Sequence, residues 1–457
     1  MEEKEEKIIG DLEYNTDLFE PETIAQIIDN FSKIVETIVI NQQQTISEII
    51  TALTSDNLPL KANAKSKLKP QITQEHEYVA PSTEAEHRLA QIWSSLLNVD
   101  SVGVKDNFFN LGGHSLLAVR LISEIQQQFQ KNLPLAALFQ SPTIEQLAIA
   151  LRTQSFPRFN KILVPIQANG SLPPLFCVPG ADGQVFNFYH LARYLGAEQP
   201  FYGLQAKALD GESLPLDSIE EIATANIQAI QKVQEVGPYF LAGYSLGGHV
   251  AFEMATQLQQ MGESVAYVGM LDVTAPTSEV ARYKNNFSHW DDAKWICEMA
   301  SGIEEILGEN LLLKYESLSS LTAEQQINYF KHQLERVCFF PPQTDNKLVS
   351  GLLQVFRTRF QIHYVPHQIS TTNITLFRAA DINFKDINSE EIKSSEHFQN
   401  PAWGWNQFCD GEVEIYTVPG DLLSILSEPH VKTLAEKIQK SLEQARNMAL
   451  LNLNMKL

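Results

Sequence analysis

Cysteine is scarce in this chain of 457 residues, which contains only Cys177, Cys297, Cys338 and Cys409. Their wide spacing matches neither a Cys-x-x-Cys metal pair nor a disulfide framework. The sequence also lacks any run of about 20 apolar residues, the length that a membrane-spanning helix requires. Its charged start has no apolar core behind it and therefore does not resemble a secretory signal. These absences favour a protein of the reducing cytoplasm.

Positive charge is scarce as well, because 34 Lys and Arg residues stand against 55 Asp and Glu residues, a formal net charge of −21. Nucleic acids and anionic membranes bind clusters of Lys and Arg, so neither is expected as a partner. The acidic excess is interpreted as a contribution to solubility. No metal-binding cluster, phosphate loop or dinucleotide fingerprint occurs in the sequence, and no metal is predicted.

Four regions differ in their residue patterns. Residues 1–52 join an acidic start to one amphipathic helix, and residues 53–78 are polar and aperiodic, which is typical of a linker. Residues 79–152 predict a small bundle of three or four helices. Residues from about 160 to 457 alternate strand-like runs with amphipathic helices, which predicts a mostly parallel α/β sheet. A helical, aromatic-rich stretch at about 274–370 interrupts this alternation.

Ser115 follows two glycines at the predicted start of a helix. The backbone N–H groups and the dipole of a helix favour negative charge at this end, so a phosphodiester on the Ser115 hydroxyl would be stabilised. A serine at a helix start is more often only an N-cap. The position alone therefore leaves both interpretations open.

Ser245 lies in a Gly-x-Ser-x-Gly sequence between a short apolar strand and an amphipathic helix. Strand, sharp turn and helix are the context of a nucleophile elbow. The flanking glycines, Gly243 and Gly247, let the backbone turn tightly, and the N–H of Leu246 can then bind an oxyanion. The pattern predicts Ser245 as the nucleophile of a hydrolase.

A serine nucleophile needs a nearby base, and α/β hydrolases supply a histidine late in the chain. His430 follows the last predicted strand, residues 413–418, across a loop from which it can reach the tops of the strands. His249 is expected to point away from the elbow, while His363 and His367 fall in the helical stretch. His430 is therefore predicted as the base.

Two aspartates are candidates for the acid that orients this histidine. Asp272 directly ends the strand after the elbow helix, and Asp381 follows a later strand. Either carboxylate could reach the imidazole from the carboxyl end of the sheet. Their spacing does not decide between them.

The residues around Ser115 resemble the attachment motif of peptidyl carrier domains in nonribosomal peptide synthetases. The resembling run is Asp106-Asn107-Phe108-Phe109-Asn110-Leu111-Gly112-Gly113-His114-Ser115-Leu116. The resemblance extends across residues 79–152. It implies a four-helix carrier domain with 4′-phosphopantetheine covalently attached to Ser115 by a phosphopantetheinyl transferase.

From about residue 160 to 445 the chain is similar to the thioesterase domain that ends nonribosomal peptide and polyketide assembly lines. The matching pieces are residues 174–181, the elbow, Leu271-Asp272, Gly404-Trp405, Pro419-Gly420-Asp421 and residues 428–431. The similarity implies an α/β hydrolase in which residues 274–370 form a lid over an acyl channel. It selects Asp272 as the acid and the N–H of Ala181 as a second oxyanion donor. Leu422 stands where relatives often have a histidine, which is expected to affect pocket shape rather than mechanism.

The beginning of the chain carries two further, weaker resemblances. Residues 12–19 and the helix after them resemble the closing segment of a condensation domain, and residues 58–65 faintly resemble the last motif of an adenylation domain. Neither domain fits in the space. The segment is interpreted as a deletion remnant or as the start of a piece cut from a longer chain, with a docking element for an upstream synthetase as a third account.

The resemblances together imply a carrier–thioesterase pair that receives an acyl or peptidyl chain from upstream condensation and adenylation modules and releases it. Water would give a free acid, and an internal amine or hydroxyl would give a ring; the sequence leaves both open. Two alternatives are a non-catalytic carrier and scaffold, and a proofreading esterase that clears misloaded arms.

Overall fold

The computed structural model describes residues 2–4, 7–9, 78–113, 115–131, 133, 137–153, 162–277, 287, 289–307, 309–337, 339–340, 344–366, 373–381 and 399–454. The chain forms two units, Met1–Glu75 and His76–Leu457. In the first unit, strands β1 (Glu2–Lys4) and β2 (Lys7–Ile9) pair antiparallel. The rest of the predicted condensation-like segment and the linker up to residue 77 lie outside the described residues.

The second unit begins with four helices that match the predicted bundle. They are α1 (Glu84–Leu97), α2 (Ser115–Phe129), α3 (Ala137–Gln140) and α4 (Ile144–Thr153). Thr83 and Glu86 form the predicted capping box, in which the Glu86 N–H donates to Thr83 Oγ1 over 3.2 Å. Trp93 and Phe108, both fully buried, meet edge to face at the centre of the bundle.

A seven-stranded sheet follows, in the order β3-β5-β4-β6-β7-β8-β9. Its strands are β3 (Leu163–Gln167), β4 (Leu175–Val178), β5 (Phe201–Leu204), β6 (Tyr239–Tyr244), β7 (Val265–Leu271), β8 (Ile374–Ala379) and β9 (Val413–Val418). Only the edge pair β3 and β5 is antiparallel within this sheet. The carboxyl ends of the six parallel strands therefore share one edge, as the sequence predicts for an α/β hydrolase.

Helices cover both faces of the sheet, which is why β6 is buried along its whole length. Phe240 and Ala242 of β6 pack in a core with helices α5 (Tyr189–Tyr194) and α12 (His430–Asn454), whereas Tyr239 and Leu241 pack in a second core. Helices α6 (Ile219–Ile230) and α7 (Leu246–Gln260) belong to that second core. The alternation follows from the two-residue period of a strand.

Between β7 and β8 the chain forms a helical insertion. Its described residues include α8 (Asp292–Leu307), α9 (Tyr315–Ser319), α10 (Ala323–Arg336) and α11 (Asn346–Gln361). Its helices share a hydrophobic core of their own around the fully buried Trp295 and Phe330. Of all the helices in the described part of the chain, none is sufficiently long and apolar to cross a membrane.

Candidate active site

Ser245 lies at the sharp turn between β6 and α7. Its backbone has φ 51° and ψ −126°, a region that costs a non-glycine residue about 1–3 kcal/mol. The surrounding sheet holds this conformation, since the Ser245 N–H donates to Leu271 O over 3.0 Å and the Gly248 N–H donates to Ser245 O over 2.9 Å. This strained strand–turn–helix geometry is that of a nucleophile elbow.

The two glycines of the elbow are required by close backbone approach. A Cβ atom on Gly243 would lie 2.0 Å from Gly247 O, and one on Gly247 would lie 2.2 Å from Val178 O. No side chain fits at either position, so the elbow packs directly on the end of β4. The motif that the sequence offers as a turn signal is thus also a packing requirement.

The loop after β4 lies beside Ser245. A Cβ atom built on Gly180 would be 3.6 Å from Ser245 Cβ, and the Gly183 N–H donates to Gly180 O over 3.0 Å, which closes the loop. Ala181 is part of this loop, and Leu246 is the first residue of α7. Both predicted oxyanion donors therefore belong to segments adjacent to Ser245, and their role stays a prediction.

Asp272 follows β7 with φ 52° and is held by β8. Its N–H donates to Phe377 O over 2.8 Å, and its Oδ1 accepts from the Ala379 N–H over 2.7 Å. Burial raises the pKa of the Asp272 carboxyl to about 6, against the lowering effect of the Ala379 hydrogen bond and of Arg378. A buried, oriented carboxylate of this kind can stabilise a charged imidazole.

Asp381, the other candidate acid, is exposed two residues beyond β8. Its N–H donates to Gly420 O over 2.9 Å, so its backbone helps to fix the loop after β9. This placement supports Asp272 over Asp381 as the acid, because burial and orientation are found only at Asp272 of the two.

His430 begins α12, directly after the β9 loop, and is half-buried. Its ring packs on Gly420, where a Cβ atom would lie 2.8 Å from His430 Cδ2. Among the residues that the structure describes, His430 makes no hydrogen bond to Ser245 or Asp272. The three predicted catalytic residues thus lie on segments at one edge of the sheet without hydrogen bonds to one another in this conformation, and catalytic hydrogen bonds often form only with substrate bound.

Tyr244, which sequence reasoning missed, connects these segments. Its hydroxyl donates to the Leu422 carbonyl, which attaches the loop after β9 to the end of β6. Burial raises the pKa of Tyr244, and the charges of Asp182, Asp272 and Asp421 raise it further. The charges of three carboxylates from three loops therefore act on this one phenol.

The structure describes two of the other three candidate histidines. His249 is buried, and its Nε2 donates to Thr274 O over 2.8 Å; its predicted direction away from the elbow stays a prediction. His363 is exposed beyond the end of α11, and His367 lies outside the described residues. Trp405 supports the same strand end as His249, because its Nε1 donates to Val273 O over 2.7 Å.

Ser115 is the first residue of α2 in the carrier bundle. The turn before it depends on Gly112, with φ 96°, and on Gly113, where a Cβ atom would lie 2.4 Å from the Phe108 ring. The first turn of α2 holds no acidic residue, so nothing there opposes a phosphate. These residues fit a phosphodiester-linked group at the helix start.

Aromatic rings join the carrier bundle to the α/β sheet. Phe109, six residues before Ser115, stacks on Tyr189 with ring centroids 3.9 Å apart. Phe139 stacks on Phe186 at 5.2 Å. Since Phe186 and Tyr189 follow the Gly180–Gly183 loop in sequence, the bundle contacts the sheet close to the predicted oxyanion segment.

Comparison with known proteins gives two family matches. Residues 173–442, more than half of the chain, match the thioesterase domain family, and residues 87–151 match the phosphopantetheine attachment site family. The two matches cover the α/β sheet and the helical bundle respectively.

Two curated relatives and one solved structure are similar to this chain over part of their length. Chondramide synthase of Chondromyces crocatus is 30% identical over 85% of this chain and 10% of its own length. The dimodular nonribosomal peptide synthase of Bacillus subtilis (strain 168) is 39% identical over 48% of this chain and 9% of its own length. A holo four-domain nonribosomal peptide synthetase, solved with AMP and glycine bound, is 27% identical with a TM-score of 0.55, covering 83% of this chain and 28% of that one. The chain spans a minor part of each of these relatives.

Proposed function

The chain belongs to the thioesterase domain family and bears a phosphopantetheine carrier domain ahead of it, and from this premise we propose that Ser115 carries an acyl or peptidyl chain that Ser245 releases. The strained conformation of Ser245, with φ 51° between two glycines that allow no side chain, is the observation that supports the nucleophile most directly. A thioesterase of this kind ends nonribosomal peptide synthesis.

When attached to Ser115, 4′-phosphopantetheine supplies the thiol that holds the chain as a thioester. Ser245 attacks the carbonyl carbon of that thioester while His430 takes the hydroxyl proton. The N–H groups of Leu246 and Ala181 hold the oxyanion, and Asp272 stabilises the positively charged imidazole. His430 then gives its proton to the departing thiolate, which leaves the chain as an ester on Ser245.

Release of this ester requires a second nucleophile. Water gives a free acid, and an amine or hydroxyl within the chain gives a ring; His430 removes the proton from either. The helical insertion lies where the resemblance predicts a lid, and we propose that it forms the wall of the acyl channel. Wall shape and exclusion of water would then decide between hydrolysis and cyclisation.

The proposed partners follow from the relatives. Each is a longer synthetase, which supports upstream condensation and adenylation modules as the source of the chain. A phosphopantetheinyl transferase is required to modify Ser115.

A reducing cytoplasmic location is supported by three free cysteines in the described part of the chain, of which Cys177 and Cys409 are buried.

One observation favours a second candidate, a non-catalytic carrier and scaffold. His430 makes no hydrogen bond to Ser245 or Asp272 in the described residues, so the triad is not assembled in this conformation. An unactivated serine reacts poorly with a fluorophosphonate. Stoichiometric labelling of Ser245 therefore supports the thioesterase, and absence of labelling supports the scaffold.

The principal test is to transfer a peptidyl-phosphopantetheine from its coenzyme A thioester to Ser115 with a phosphopantetheinyl transferase, which releases 3′,5′-ADP, and to follow the intact mass over time. The wild type should gain and then lose the chain, whereas Ser245→Ala should gain and keep it, and Ser115→Ala should gain nothing. The mass of the freed product separates the acid from the ring. Equal release by Ser245→Ala would contradict the assignment of the nucleophile.

A further inference from the structure

A buried arginine of the helical insertion contacts the loop beside the nucleophile. Arg359, near the end of α11, is 3% exposed, and its Nη2 donates to Pro179 O over 2.9 Å. Its Nε has no hydrogen-bond partner among the residues that the structure describes. Burying an arginine with its donors incompletely paired costs several kcal/mol. The stability of the fold alone therefore does not account for an arginine at this position.

The charge of this arginine persists at neutral pH. Burial lowers the pKa of Arg359 to about 10, and the Asp182 carboxylate opposes that lowering. Asp182 belongs to the same loop, since it follows Ala181. The cation thus interacts with the loop in two ways, through the Pro179 carbonyl and through the charge of Asp182.

The helix that carries Arg359 has a second contact with this loop. A Cβ atom on Gly183 would lie 3.0 Å from Val355 Cγ1, and Val355 is four residues before Arg359, on the same face of α11. On the other side, the Ala206 N–H donates to Gly183 O over 2.9 Å. The loop 179–183 is therefore held between the insertion and the segment after β5.

The position of the Pro179 carbonyl matters because of the peptide that follows it. Pro179 O belongs to the peptide adjoining the one that contains the N–H of Ala181. An oxyanion donor is effective only when it is held within a few tenths of an ångström of the productive geometry. A charged donor on the adjoining carbonyl restrains the rotation of this pair of peptides.

We infer that Arg359 is a positioning residue that holds the loop 179–183 with the Ala181 N–H directed at the oxyanion, and so makes the oxyanion site depend on the helical insertion. This inference rests on the proposed role of Ala181 and Ser245. It adds that the insertion contributes to the rate of the chemical step as well as to the wall of the channel.

The test compares two arginines of one helix. Arg359→Met removes the buried guanidinium, while Arg357→Met removes an exposed one, 44% accessible and paired with Asp292 at 2.7 Å. With a soluble acyl thioester, we expect Arg359→Met to lower kcat about 10–100-fold with KM within about twofold, as for loss of an oxyanion interaction. Arg357→Met should keep both constants within about twofold. Arg359→Lys, which restores the charge and one donor, should recover part of kcat.

A second readout distinguishes positioning from a general loss of structure. An alkyl boronic acid forms a tetrahedral adduct with Ser245, so its affinity should fall by the same factor as kcat. The inference is wrong if Arg359→Met keeps the wild-type inhibitor affinity and the wild-type kcat. It is also wrong if kcat, substrate affinity and Tm fall in parallel in both Arg359→Met and Arg359→Lys. Failure of the proposed function is separate, because it would appear as no fluorophosphonate labelling of Ser245 in the wild type.

Discussion

Two serines, each placed at the start of a helix after a glycine-containing turn, are built in opposite ways. Ser115 begins α2 of a small bundle, and the turn before it depends on neighbours a few residues away. Ser245 has φ 51° and is fixed by β4 and β7, whose residues lie at least 20 positions from it in the sequence. In the proposed function Ser115 has only to be reached by other proteins. Ser245 has to be held in one orientation, and this requires a strained backbone that the surrounding sheet supports.

The largest effect is expected from a change at Asp272, which is distant from Ser245 in the sequence but follows the strand that holds it. Asp272→Asn should lower kcat about 10³–10⁴-fold, because the imidazole loses its orienting carboxylate. Loading of Ser115 should be unaffected, as measured by intact mass. Asp381→Asn is the matched control and should stay within about threefold of the wild type. A large loss in Asp381→Asn with a small one in Asp272→Asn would reverse the assignment of the acid.

The same substitution at both serines tests whether strain is confined to one of them. Threonine is β-branched and disfavours positive φ, so Ser245→Thr should lose at least about 100-fold in hydrolysis of a soluble thioester and should lower Tm. Ser115→Thr, at the start of a regular helix, should change Tm by no more than about 1 °C. Equal changes of Tm in the two variants would show that the elbow stores no strain.

The aromatic contact between bundle and sheet gives a smaller effect. Phe109→Ala and Tyr189→Ala should slow release of a chain attached at Ser115 by about 3–10-fold, the value of a stacked aromatic pair. Hydrolysis of a soluble thioester should not change. Tyr189→Phe keeps the ring and should behave as the wild type. If attached and soluble substrates slow together in Tyr189→Ala, the contact supports the fold rather than delivery.

The smallest effect concerns pH. The pKa of Asp272 is about 6 in the folded protein and about 3.9 in an unfolded chain. The folded state therefore binds more protons between these values, and this carboxyl makes stability fall as pH rises from about 4 to about 6. The difference in Tm between Asp272→Asn and the wild type should therefore shift in favour of the variant by about 2–4 °C between pH 4.5 and pH 7. Parallel curves of Tm against pH for Asp272→Asn and the wild type would contradict the raised pKa.

Features that depend on neighbouring residues could be predicted from the sequence. The Thr83–Glu86 capping box, the helix at Ser115 and the elbow at Ser245 each have a local signal that the structure bears out. The parallel sheet followed from alternating strand and helix patterns in the same way.

Features that depend on packing between distant segments could not be predicted. Spacing alone left Asp272 and Asp381 open, because burial is decided by β8 and by the loops around it. Arg359 lies 180 positions from Pro179 in the sequence. Its helical spacing from Leu352 and Val355, which places it on the apolar face of α11, is the one sequence signal of a role. Tyr244 gave no such hint, since any apolar residue would suit a buried strand.

The hydrophobic core within the helical insertion has a consequence for how this protein can diverge. The buried residues that the structure describes around Trp295 and Phe330 all belong to the insertion, so its core contains no buried residue of the sheet. Substitutions in these helices can therefore accumulate while Ser245 and the strands β6 and β7 stay unchanged. The whole insertion can also be exchanged with that of another chain by recombination. Such an exchange would have to preserve Arg359 and Val355, because these two residues connect the insertion to the loop 179–183 beside Ser245.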